Sequence, residues 1–104
     1  MNNLARAKRE PHDRVMERQY RLQKLYRMSL AEFQQLADAQ NGVCAICFTA
    51  PIDGPLCVDH DHITGARRKL LCRHCNLVIG NASDNIQTLL SAVAYLKAHK
   101  QMAR

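Results

Sequence analysis

The chain contains no Trp, and aromatic residues make up only 5% of its 104 positions, so large buried anchors are few and the core needs another staple. No stretch approaches the ~18 apolar residues of a membrane span, which argues against a membrane partner. The start, Met1-Asn2-Asn3-Leu4-Ala5-Arg6, is charged early and lacks an apolar run, so no secretory leader is expected. There is no internal repeat beyond two Cys pairs, and no low-complexity segment. Between residues 28 and 66 there is no Lys or Arg at all.

That gap matters because the chain is otherwise basic, with fifteen Lys and Arg against nine Asp and Glu, a formal charge of +6 and a pI near 9.4. The cations gather in an N-terminal group (Arg6, Lys8, Arg9, Arg14, Arg18, Arg21, Lys24, Arg27), a central group (Arg67, Arg68, Lys69, Arg73) and a C-terminal trio (Lys97, Lys100, Arg104). A basic balance hints at nucleic acid without establishing it. Five Cys is an odd number. With no leader, this fits metal-bound thiolates in a reducing cytosol better than a disulfide framework.

The length suits one domain, read as a basic N-terminal arm or helix over residues 1–28 and a zinc-stabilised domain over residues 29–104. Residues 1–12 are polar and expected to fray. Over residues 13–28, Val15, Gln19, Leu22 and Tyr26 mark one side of a helical pattern, with Arg14, Arg18 and Arg21 on another. That basic side is either a solvated face or a phosphate-contacting one. Ser29-x-x-Glu32 is a capping box opening a second helix with Phe33, Leu36 and Ala37 as its core stripe, and Asn41-Gly42 closes it. A knuckle at residues 44–47 leads through a loop to a hairpin over residues 56–62 and 67–72, then a helix that Gly80 and Asn81 interrupt. Asp84 with Gln87 is expected to cap the last helix, whose stripe of Ile86, Leu89, Leu90, Val93 and Leu96 reads as core or a subunit interface.

Cys44-x2-Cys47 and Cys72-x2-Cys75 carry the strongest signal. A C-x2-C turn presents two thiolates from one knuckle, and two such knuckles, the second opening a helix, make a four-cysteine zinc site. An iron centre of the rubredoxin kind and unligated buried Cys are the competing readings. With four thiolate ligands no position stays open, so the zinc is expected to be structural. His74 reads as a surface residue, and Cys57 as a small buried residue of the first strand.

Between the pairs runs Val58-Asp59-His60-Asp61-His62, and Asn76 follows the last Cys. Phosphodiester hydrolysis needs a base for water and a cation for the phosphate. Asp59 and Asn76 could give oxygens to Mg²⁺ or Mn²⁺, with His60 as base. His60 and His62 could instead hold a transition metal or sit in a polar loop. Strict strand alternation puts Asp59 and His60 on opposite faces, so a twist or bulge is required to unite them.

The run Gln40-Asn41-Gly42-Val43-Cys44-x2-Cys47, then Val58-Asp59-His60-Asp61-His62-x-Thr64-Gly65, then Arg68-x-Leu70-Leu71-Cys72-x2-Cys75-Asn76 resembles the recombination endonuclease VII family of phage-type HNH nucleases, over residues 29–96. The resemblance implies an α+β, mainly helical fold: a small zinc-bound ββα-metal, treble-clef-like core with flanking helices. It implies Asp59 and Asn76 as ligands of a catalytic Mg²⁺ or Mn²⁺, His60 as general base, His62 at the scissile phosphate and Arg68 on phosphate. Arg67 and Lys69 adjoin Arg68 as further substrate contacts. The family often has Gly where this chain has Lys69, which bears on the turn of the second strand. The long helical extension of junction-resolving members finds no counterpart, so nicking or simple cutting of DNA is expected. Further partners would be a second copy, through the helices, or phage packaging or replication proteins, in the host cytoplasm. The alternative is a zinc-dependent nucleic-acid-binding module without catalysis; a treble-clef protein-interaction domain fits the basic clusters poorly.

Overall fold

The computed structural model describes residues 11–100, so the expected fraying over residues 1–12 falls almost wholly outside the described residues. Four helices and one two-stranded sheet follow in the order α1 (Pro11–Tyr26), α2 (Leu30–Ala39), β1 (Cys57–His60), β2 (Arg67–Leu71), α3 (Arg73–Asn81) and α4 (Ile86–His99). No helix among the described residues is long and apolar enough to cross a membrane.

The first helix stops at Tyr26, two residues short of the expected end. Arg27 turns into the left-handed region at φ +52°, its N–H bonding Gln23 O at 2.9 Å, and Met28 is thereby driven into the core with no exposed surface. Of the expected stripe, Leu22 is buried and Tyr26 half-buried, while Val15 and Gln19 stay exposed, so only the C-terminal end of α1 packs. Arg18 is half-buried and places its guanidinium 4.3 Å from the centre of the Phe33 ring. Burial, and then Arg21 nearby, hold its pKa below the ordinary value. A cation over an aromatic face attracts it, so this contact ties α1 to α2.

The second helix begins as the sequence implies. Glu32 N–H donates to Ser29 Oγ at 3.1 Å and Ser29 N–H to Glu32 Oε1 at 2.9 Å, which satisfies two donors left free at the helix start. At its other end Asn41 and Gly42 have φ of +58° and +72°, and Gly42 N–H reaches Ala37 O at 2.8 Å. Gln40 then acts as a surrogate strand. Its amide oxygen accepts from Leu70 N–H, and its nitrogen donates to Leu70 O and Val43 O, each at 2.9 Å.

The hairpin is shorter than expected because Asp61 makes the turn. Its carboxylate accepts from Ile63 and Thr64 N–H at 2.8 and 2.9 Å, and those amides, Thr64 first, hold its pKa below the usual carboxylate value. The core lies between this hairpin and the first two helices: Leu22, Met28, Phe33, Ala37, Leu56, Val58, Leu70 and Leu71, with Cys44 and Cys72 at its edge. Each fully buried aliphatic chain of this kind contributes about 1.5–3 kcal/mol.

One expectation fails at the C-terminal end and another loses one of its two alternatives, that of the α4 stripe as core. Asn85, not Asp84, caps α4, accepting from Thr88 N–H at 2.8 Å; Asp84 sits at φ +57°, outside the extended conformation of a capping residue. The apolar stripe of α4 is not core either: no residue of α4 is buried, and Ile86 and Leu96 are 73% and 65% exposed. Helical periodicity says that one face is apolar, not what covers it.

The Gln40 contacts give the first prediction. Gln40→Ala leaves Leu70 N–H, which is deep in the core, without an acceptor and should lower stability by about 1–3 kcal/mol. Denaturant unfolding of the metal-loaded protein checks this, and an unchanged midpoint would contradict it.

Candidate active site and metal centre

The metal cluster forms where two tight turns meet. Cys44, Cys47, Cys72 and Cys75 bring their sulfurs within 4.8 Å of one another, with Cys47 and Cys72 Sγ 3.9 Å apart. Four sulfurs bound tetrahedrally at ~2.3 Å from one ion would stand about 3.8 Å apart, so the spacing fits zinc. Backbone amides point at the thiols: Ile46 N–H to Cys44 Sγ at 3.3 Å, and Cys75 N–H to Cys72 Sγ at 3.4 Å. The second bond also makes Cys72 the N-cap of α3.

The environments of Cys44, Cys47 and Cys75 show why a cation suits the cluster. Burial works to push Cys44 up, but hydrogen bonds from the backbone of Cys47, Cys72 and Ile46 outweigh it and bring the thiol down to about 6. Thr49 lowers Cys47 through a 3.0 Å contact. Cys75 is pushed up to about 12 by burial and by its contacts with the other three sulfurs. Thiols this close cannot all ionise without a counter-charge, which a divalent ion supplies. His74 is exposed and outside the cluster, as is Cys57, half-buried on β1 with its pKa raised chiefly by burial.

The second constellation depends on an irregularity in the hairpin. Val58 pairs with Leu70 but His60 pairs with Arg67, so Asp59 alone on β1 faces both Arg68 and Lys69 on β2. This shift supplies the bulge that the alternation argument required. Asp59 is buried, while Asp59 and His60 line the same cleft. The bulge also coincides with Lys69, the position of the departure from Gly.

That cleft, of about 330 Å³, receives Asp59, His60 and His62 from the hairpin and Asn76 from the first turn of α3. Asn76 N–H bonds Cys72 O at 2.9 Å, so the helix turn that carries it is built on the metal knuckle. The His60 ring lies 4.6 Å from that of His62, edge to face, and 5.6 Å from that of Tyr26, which brings α1 to the wall of the cleft. The four residues expected at the reacting centre therefore share one cavity. Asp61 does not join them, being engaged in the turn.

Arg68 is placed differently from the expectation of a free phosphate contact. Its Nε donates to Asp59 Oδ2 at 2.6 Å and its Nη2 to Asp59 Oδ1 at 3.1 Å, with Asp84 Oδ2 a further 3.2 Å contact. These hydrogen bonds, those to Asp59 first, raise its pKa above the ordinary value. Arg67 and Arg68 both line a separate concavity with Glu32 and Gln35, and Lys69 is exposed and lines neither. Sequence reasoning missed Asp84, Asn81 and Tyr26 as lining residues of the cleft. Asp84 looked like a helix cap, and nothing local distinguishes a capping carboxylate from one that faces a cavity.

The family model described as recombination endonuclease VII matches residues 19–98, which adds the C-terminal end of α1 to the segment that carried the resemblance. The Gene 59 protein of Mycobacterium phage D29 is 41% identical over 76 residues, covering 69% of this chain and 45% of that protein. The Gene 59 protein of Mycobacterium phage L5 is 44% identical over 69 residues, covering 62% and 41% respectively. The chain thus spans less than half the length of these curated relatives. No solved structure matches.

Purified protein is expected to carry one zinc per chain by elemental analysis. Cys72→Ser should abolish it together with cooperative unfolding, because it removes one of the four sulfurs while leaving a hydroxyl able to cap α3, whereas Cys57→Ser should keep it. Zinc retained at full occupancy in Cys72→Ser would contradict the four-cysteine assignment.

Proposed function

The chain belongs to the recombination endonuclease VII family, a family of nucleases, and from that premise we propose that it is an HNH-type, divalent-metal-dependent DNA endonuclease. The observation that carries this reading is the convergence of Asp59, His60, His62 and Asn76 on one cleft. We read β1, β2 and α3 as its ββα unit, pinned by structural zinc at the four cysteines.

The donor set fits a hard cation. Asp59 and Asn76 bring a carboxylate and an amide oxygen to the same cavity, and Mg²⁺ or Mn²⁺ takes such oxygens while keeping several waters. A carboxylate has about four lone-pair sites, so the two bonds from Arg68 leave Asp59 with acceptor capacity. Bound there, the ion would supply positive charge to the scissile phosphate and the leaving oxygen.

The remaining work falls to the protein's own side chains. His60 takes the proton from the attacking water; its ring is kept in place by His62 on one side and Tyr26 on another. His62, at the same wall, contacts the phosphate. Arg68 fixes the Asp59 carboxylate through two parallel hydrogen bonds, which set its plane as well as its position. Hydrolysis leaves a 5′-phosphate. Arg67 and Lys69, exposed beside the bulge, contact the DNA backbone away from the reacting phosphate. The arginine-rich residues 1–28 serve as a phosphate-contacting arm of the catalytic domain over residues 29–104, and DNA in the host cytoplasm is the substrate.

Zinc-loaded protein incubated with supercoiled plasmid should nick or linearise it only when Mg²⁺ or Mn²⁺ is added. His60→Ala should lower the rate by about 10²–10⁴-fold, the usual contribution of a positioned base, with zinc content unchanged. Cleavage that survives in His60→Ala would remove the assigned base. Intact plasmid under every condition would contradict the proposed activity.

A further inference from the structure

Arg68 is one cation between two carboxylates. Its Nε makes the short bond, 2.6 Å to Asp59 Oδ2, whereas Nη2 faces three acceptors: Asp59 Oδ1 at 3.1 Å, Asp84 Oδ2 at 3.2 Å and the His60 carbonyl oxygen at 3.3 Å. An Nη2 group carries two protons, so it cannot satisfy three acceptors at once. Oδ1 is therefore the oxygen of Asp59 that Arg68 holds less firmly, and Asp84 Oδ2 and the His60 carbonyl compete with it for the two protons of Nη2. Nη1 has no acceptor among the described residues.

The backbone brings Asp84 to this place at a conformational cost. Ser83 and Asp84 are consecutive non-glycine residues in the left-handed region, at φ +53° and +57°. Ser83 N–H bonds Gly80 O at 3.0 Å and Asp84 N–H bonds Ile79 O at 2.9 Å, which wraps the chain around the end of α3. The capping of α4 does not require Asp84, because Asn85 does it. What this wrap achieves is to carry the Asp84 carboxylate to Arg68 and to the cleft that Asp59 and Asn76 also line.

Charge gives the arrangement its sense. An Asp59 carboxylate paired with Arg68 alone is a neutral unit and a poor attractant for a cation. With Asp84 added, the three side chains carry a net negative charge, and the guanidinium has a second anion to face. We propose that Asp84 is a positioning residue for the divalent ion of the nuclease site: by drawing Nη2 of Arg68 toward itself and offsetting its charge, it leaves Asp59 Oδ1 to the ion. The inference rests on the reading of Asp59 and Asn76 as metal ligands. Groups that act behind a ligand in this way typically change metal affinity when removed.

The test is Mn²⁺ binding, followed by the electron paramagnetic resonance of the free ion in zinc-loaded protein without DNA. Wild type should show one site, Asp84→Asn should weaken it about 10-fold or more, and Asp84→Glu should restore most of the loss. Zinc content and thermal midpoint should stay near the wild-type values. In an Arg68→Gln background, Asp84→Asn should have little further effect on Mn²⁺ affinity. A wild-type site untouched by Asp84→Asn would overturn this inference alone. A fall in thermal midpoint without a change in Mn²⁺ affinity would do the same, leaving Asp84 a structural role. Equal weakening with and without Arg68 would contradict action through Arg68. No Mn²⁺ site in wild type would remove the metal reading itself, and this inference with it.

Discussion

Four sulfurs drawn within 4.8 Å of one another are the constraint on which the rest of the structure depends. The core they adjoin is small, and two of its buried residues, Cys44 and Cys72, belong to the cluster itself. No residue of α3 is fully buried, so apolar packing alone, chiefly through the half-buried Ile79, holds that helix weakly. Cys72 and Cys75 place the start of this helix in the cluster, and Cys72 also caps its first turn. Small domains commonly rely on a metal for what a core of this size cannot provide. In this chain the metal knuckle sets the helix, and the helix sets Asn76.

The other wall of the cleft is set by the hairpin, where one residue faces two. A regular ladder would send Asp59 and His60 to opposite faces; the register shift opposite Arg68 and Lys69 lets both line the same cavity. The shift also carries the Arg68 side chain onto Asp59. Gln40 fastens this strand to the end of α2 just beyond the bulge, through both backbone groups of Leu70. The cysteine knuckle, the bulge and the Gln40 bridge thus converge on a few residues of β2, and the proposed chemistry sits where they converge.

Much of this was legible in the sequence because it is local. Cys spacing identifies the four thiols that cluster, Ser29 and Glu32 announce a helix start, and Asn41-Gly42 announces its end; each signal spans a handful of residues and each holds in the structure. The grouping of Asp59, His60 and Asn76 followed from the chemistry of their side chains, and the family resemblance added His62. What the sequence did not disclose is tertiary. Arg18 reads as a solvated cation until Phe33 is placed beneath it, and Arg68 reads as a free phosphate contact until Asp59 and Asp84 are placed around it. The α4 stripe shows the same limit in reverse, since its periodicity is clear but no element among the described residues buries it.

If the cluster governs the domain as argued, metal removal should be felt first along the hairpin and α3. Amide hydrogen exchange of the zinc-loaded and chelator-stripped protein, read residue by residue, tests this most directly. The account predicts that Val58, Leu70 and Asn76 lose protection together when zinc leaves, because strand, bulge and helix turn are held by the same knot. Protection that persists across the hairpin and α3 in zinc-free protein would contradict it, and would show that the core alone positions the site.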